Sequence, residues 1–150
     1  MPVLHFATQI NGSRETIFEL IADLAHYDRW LSGSSTFGGM AQVSLMPAGV
    51  GTTYSDGPMH GKITQYDPPE RITFQQSMPV KALFLAGKLE LCVVYTLEAM
   101  DAGDQATSVK RDVTFNLPGI FKAAHPILAG TIRRESGRLL EMMKRYVESG

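Results

Sequence analysis

From residue 40 to 117 the chain is a succession of short alternating runs and turn signals, and then it switches to helical spacing until its end. Six runs in that region read as strands: 40–46, 50–55, 59–66, 71–78, 87–99 and 107–116. Apolar and polar residues alternate along them, the period of a sheet with one buried face. MPAG, SDGP, DPPE and MDAGDQA separate them, with a loop expected near 79–86. In YDPPER, Pro68 and Pro69 cannot donate ladder hydrogen bonds, so no central strand runs through them. Runs of antiparallel strands with the helices set apart indicate an α+β chain.

The flanks supply the rest. VLHFATQI, residues 3–10, is a further strand, with Leu4, Phe6, Thr8 and Ile10 on one face. NGS breaks it, and Ser13 is placed to cap the helix RETIFELIADL, whose Glu15 sits in the dipole-favoured first turn. Ile17, Phe18, Ile21 and Leu24 make one apolar stripe. HYDRWL has room for only a turn or two more. The terminal helix carries Ile132, Leu139, Leu140, Met143 and Val147 at near-helical spacing, with Pro126 early. Its Gly130 and Gly137 cost up to about 1 kcal/mol each against alanine, which points to a close approach or a bend. From 121 to 148 it would run about 40 Å, at about 1.5 Å per residue, long enough to close a curved sheet over a cavity.

Composition sets bounds. At 150 residues the chain fits one domain, 1–150, and its 44% hydrophobic residues exclude disorder. Fourteen basic and fifteen acidic residues leave a net charge of −1, with no electrostatic footprint for nucleic acid. The single Cys92 rules out an internal disulfide. MPVLHFATQ lacks a signal-peptide pattern, and no stretch approaches the roughly 18 apolar residues of a membrane span, so a cytoplasmic protein is expected. The four histidines have no ligand spacing; neither metal nor cofactor is expected. GVGTTYSDG precedes no helix and is not a phosphate cradle.

INGSRETIFELIADLAHYDRWLSG, GVGTTYSDGPMHGKITQYDPPERITFQ, YTLEA, TSVKRDVTF and the terminal RRESGRLLEMMKRYVE together resemble the SRPBCC superfamily, the START-like and birch-pollen-allergen-like helix-grip proteins. Within it the chain looks most like the polyketide cyclase/dehydrase and lipid-transport branch. The resemblance covers essentially the whole chain and is specific for fold rather than reaction. It implies a seven-stranded curved antiparallel sheet wrapped around a long C-terminal helix, with two short helices between the first and second strands and an apolar cavity inside. It also implies that HYDRWL is a structural corner whose Trp30 packs where helices meet sheet. Asp28 and Arg29 then face solvent or cap the turn, and His26 is a poor candidate for a general base.

Alternation says which side chains face that cavity. Leu89, Leu91, Val93, Tyr95 and Leu97 share one face; Val109, Val113 and Phe115 share another with Arg111; Ile72, Phe74, Gln76 and Met78 form a third. A guanidinium among apolar neighbours is costly. Arg111 therefore pairs with a carboxylate, or is turned out by a bulge, or orients a carbonyl, carboxylate or phenolate. Gln76 either fixes a ligand or bonds a neighbour. Tyr54 and Tyr95 suit either a cavity or ordinary packing.

With Trp30, Tyr54, Phe74 and Gln76 from the first half, the expected ligand lining continues through Leu91, Val93, Tyr95 and Arg111. Val113, Phe115, Ile132 and Leu139 complete it. The catalytic candidates are Arg111, Tyr95 and His60, with His125 also near a cavity mouth. Met40, Met59, Met78, Met142 and Met143 fit an adaptable cavity or simple gap-filling.

Three functions stay open. The first is a carrier or binding protein for a small hydrophobic or aromatic molecule, monomeric or homodimeric. The second is an aromatase/cyclase or dehydratase that positions a polyketide-like chain and polarises its carbonyls, without metal or covalent intermediate. The third is a non-catalytic interaction or stress-response module with a vestigial cavity.

Overall fold

A computed structural model describes residues 3–31, 42–44, 48–56, 58–82, 85–103 and 105–149. Strand β1 (Val3–Ile10) leads into helix α1 (Arg14–Ala22) and a 3-10 turn over Leu24–Arg29. Then follow β2 (Gln42–Val43), β3 (Thr53–Asp56), β4 (Met59–Asp67), β5 (Arg71–Ala82), β6 (Leu85–Ala99) and β7 (Thr107–Asn116). A second 3-10 turn, Gly119–Ala124, precedes the long helix α2 (His125–Ser149).

All the strands belong to one antiparallel sheet in the order β1-β7-β6-β5-β4-β3-β2. Six of them are full strands. At the seventh position, expected as a strand over 40–46, the described residues show the two-residue β2, pairing with Tyr54 and Ser55. Met40 and the loop expected at 33–39 lie outside the described residues. The long β5–β6 hairpin also replaces much of the loop expected at 79–86. Beyond Ser77, β5 has no pairing partner on that side among the described residues, and there Pro79 is tolerated while pairing with Lys88.

Register carries the inward rows across the sheet. One row is Tyr54, Gly61, Gln76, Leu91 and Phe115. A second sets Ile63, Phe74, Val93, Val113 and Leu4 side by side. A third places Ile72, Tyr95, Arg111 and Phe6 together. Both helices cover this face: Ile17, Phe18 and Ile21 of α1, and Ile132, Leu139, Leu140 and Met143 of α2, join the strand residues in one core.

Ser13 caps α1, its hydroxyl accepting from the Thr16 N–H at 3.2 Å. Helix α2 starts at His125, not 121, because residues 119–124 form the tighter 3-10 turn. Pro126 then falls in the first turn, where its missing N–H breaks no helical bond. Gly130 and Gly137 make no close approach: a Cβ built on either meets nothing within 4 Å. The close approach is at Gly12, where a Cβ would lie 2.6 Å from Val147 Cγ1. There Lys144 Nζ donates to the Gln9 carbonyl at 2.6 Å, and the Asn11 N–H donates to Glu148 at 2.9 Å, tying the end of α2 to β1.

Candidate functional site

The third inward row brings Tyr95 and Arg111 together as direct cross-strand neighbours. Arg111 is 3% exposed, so no bulge turns it to solvent. Its Nε donates to Ser136 Oγ of α2 at 3.0 Å, and its Nη1 donates to the Tyr95 hydroxyl. Its guanidinium carbon stands 5.3 Å from the centre of the Tyr95 ring, within cation–π range. These contacts offset part of the cost of burying the cation.

A second polar pair lies on the first row. Gln76 Nε2 donates to the Tyr54 hydroxyl at 2.7 Å. Tyr54 reaches that far because the strand between them carries Gly61. A Cβ there would collide with the Tyr54 ring, so the ring lies across β4 toward Gln76 on β5. Burial pushes the Tyr54 phenol well above its ordinary pKa, a rise the Gln76 hydrogen bond only partly opposes. Gln76 Oε1 is buried with no partner among the described residues. Phe74 stands between the two pairs, edge-on to Tyr54 and to Tyr95 with ring centres 6.0 Å apart in both cases.

Both pairs adjoin a void of about 20 Å³ lined by Phe74, Gln76, Val93, Tyr95, Arg111 and Leu139, with Leu24 and Tyr27. The Tyr27 hydroxyl is occupied, donating to the Ile21 carbonyl, and burial raises its pKa. A second void, about 40 Å³ and apolar, lies between Met59, Met78, Leu89 and Leu91 of the sheet and Leu128 and Ile132 of α2. Among the described residues, the stretch where the sequence predicts one roomy hollow carries these two small voids, each near the roughly 30 Å³ share of one water molecule.

The expected lining therefore divides. Phe74, Gln76, Val93, Tyr95, Arg111 and Leu139 meet at the polar void, and Leu91 and Ile132 at the apolar one. Tyr54 stands behind Gln76. Val113 is core, and Phe115 packs on His125 with ring centres 4.6 Å apart. Trp30 is buried against Tyr27, ring centres 5.0 Å apart, its Nε1 unpartnered among the described residues, and it lines neither void.

His60 lies apart from these residues. It is exposed on the outer face, in register with Ser55 and Ser77, because it lies one residue out of phase with inward Gly61. There it borders an open groove of about 690 Å³ with Lys62, Glu90 and several hydroxyls, away from Arg111 and Tyr95.

At the corner, Asp23 takes both His26 Nδ1 at 2.9 Å and Arg29 at 2.8 Å, while the side chain of Asp28 is outside the described residues. Cys92 points away from the voids, and burial raises its pKa. Among the described residues no three His, Cys, Asp or Glu side chains come together as metal ligands. None of their helices is long and apolar enough to cross a membrane.

Sequence reasoning missed Ser136, Gly61 and Tyr27. Ser136 had a readable signal: it sits in the apolar stripe of α2, four residues after Ile132 and before Leu140. Gly61 had none without the register.

Solved structures share this architecture. A protein from Mesorhizobium loti is 12% identical with a TM-score of 0.68, the match covering 99% of this chain and 98% of that one. A START superfamily protein from Mycobacterium smegmatis is 13% identical with a TM-score of 0.62, covering 98% and 97%. The Aha1 dimer from Colwellia psychrerythraea is 16% identical with a TM-score of 0.63, covering 99% and 97%. At such identities the likeness is one of fold. No curated protein matches the sequence. The family model for polyketide cyclase / dehydrase and lipid transport matches residues 1–148, and the chain belongs to that family.

Proposed function

We propose that the protein binds a small hydrophobic or aromatic molecule bearing an oxygen function, held between α2 and the inner face of the sheet. The observation that carries this reading is the convergence of Arg111 and Tyr95 on a void inside an otherwise apolar core. Arg111 would take a carbonyl, carboxylate or phenolate oxygen. The apolar skeleton would extend toward Met59 and Met78. Burying that skeleton contributes roughly 25 cal/mol per Å² of apolar surface.

Ligand sites of this kind measure roughly 300–1,000 Å³, so binding requires the interior to expand. Expansion falls where Leu128 and Ile132 of α2 cover flexible methionines, whose unbranched thioethers adapt to irregular volumes. Native mass spectrometry of the purified full chain tests the reading by the mass of any co-purifying molecule. Calorimetric titration with a naphthol and its methyl ether tests it independently. A chain that carries no such molecule and binds neither compound does not have this function.

The polar character of the void favours a second reading, an enzyme of the cyclase or dehydratase kind. Arg111 and Tyr95 would then polarise a bound carbonyl, with most of the rate gain coming from positioning. Arg111→Met separates the two: a carrier loses affinity for the oxygenated ligand, whereas an enzyme loses turnover beyond the loss of binding.

A further inference from the structure

We infer that Gln76 selects ligands that present a hydroxyl to it, and that Tyr54 is the positioning residue that holds the Gln76 side chain at the void. This rests on the ligand-binding reading above and names which oxygen chemistry the site takes. Gln76 is 7% exposed and lines the polar void. One end of its amide is engaged, Nε2 donating to the Tyr54 hydroxyl, and the carbonyl oxygen Oε1 is left buried without a partner among the described residues. A buried acceptor in that state is costly, and a ligand O–H placed against it relieves the cost. A methyl ether of the same skeleton brings no proton and leaves the carbonyl unsatisfied.

An amide can present either end, so something must hold this one. Tyr54 fixes where the amide sits, lying over Gly61 from two strands away to engage Nε2, but a phenol hydroxyl bonds either end of an amide and does not choose between them. Arg111 lines the same void, and its charge favours the carbonyl end facing inward over the two N–H groups. The site thus reads both characters of a hydroxyl. Gln76 accepts its proton, while the Arg111–Tyr95 pair handles a second oxygen. Tyr54 itself stays a neutral phenol, since burial raises its pKa.

The test is calorimetric titration of a naphthol and its methyl ether into the full-length protein, Gln76→Met and Tyr54→Phe, with folding checked by circular dichroism. Wild type is expected to bind the naphthol about tenfold more tightly, the effect of one buried hydrogen bond. Both variants should bring the ratio of affinities close to one. Gln76→Met is close to the original in volume, so a purely steric rejection of the methyl group would leave the ratio unmoved. A wild-type ratio near one, or a preference retained in the variants, overturns the inference and leaves ligand binding standing. Binding of neither compound overturns both. If Gln76→Met does not fold, the ratio in Tyr54→Phe decides alone.

Discussion

The Tyr54 ring occupies the space that a β-carbon on Gly61 of the neighbouring strand would fill. Gly61→Ala should therefore destabilise the protein by about 1–3 kcal/mol, the usual range for overpacking a filled site. Urea denaturation of Gly61→Ala, Tyr54→Leu and the double variant forms a cycle. The cost of the alanine should shrink in the Tyr54→Leu background, because the clash has gone; full additivity would show that the two residues do not interact.

The Arg111 cluster gives a second expectation. Ser136 is fully buried and its hydroxyl accepts from Arg111 Nε. Ser136→Ala should lower stability by about 1–3 kcal/mol in chemical denaturation, because a buried cationic donor loses its acceptor. Tyr95→Phe should act in the same direction, and Tyr146→Phe, at an exposed position, should not.

Gly137 is exposed in the middle of α2, and a methyl group there meets nothing within 4 Å. Gly137→Ala should stabilise by about 0.5–1 kcal/mol, since alanine restricts the unfolded chain and prefers the helix. Thermal melting should show a rise of about 1–4 °C for a domain of this size. A fall in melting temperature would reveal a bend that needs the glycine.

Glu148 links pH to the end of α2. The Asn11 N–H and then the Lys144 ammonium hold its carboxyl below the ordinary value of 4.5. A folded-state pKa below the unfolded one gives stability that is present above pH 4.5 and is lost as pH falls through the folded value. Glu148→Gln should accordingly melt below wild type at neutral pH, and the two should converge as the solution is acidified. A gap that stays constant into acid would mean the carboxylate contributes nothing.

Much of this molecule was legible from local pattern. A strand places alternate side chains on opposite faces, so Leu89, Leu91, Val93, Tyr95 and Leu97 were identifiable as inward, and so was the polar exception Arg111 among Val109, Val113 and Phe115. The same logic was not applied to His60, whose place at a cavity mouth was read from the adjacent turn; its phase relative to Gly61 and Ile63 sets it on the outer face, at the open groove. Gly130 and Gly137 looked like packing contacts, yet the contact was made by Gly12, whose neighbour Val147 is far off in the chain.

The sequence by itself determined most of the succession of elements, the inward faces of β1, β5, β6 and β7, and the apolar stripe of α1. Those properties depend on spacing within a few residues, where backbone geometry is the whole cause. Only the tertiary structure decided that Tyr54 meets Gln76 over Gly61, that Ser136 meets Arg111, and that voids of about 20 and 40 Å³ are left among the described residues between sheet and α2. Such meetings depend on register between strands and on where α2 comes to rest. The room left over is a small difference between two large volumes, the space the sheet encloses and the side chains that fill it, and no local pattern encodes that difference.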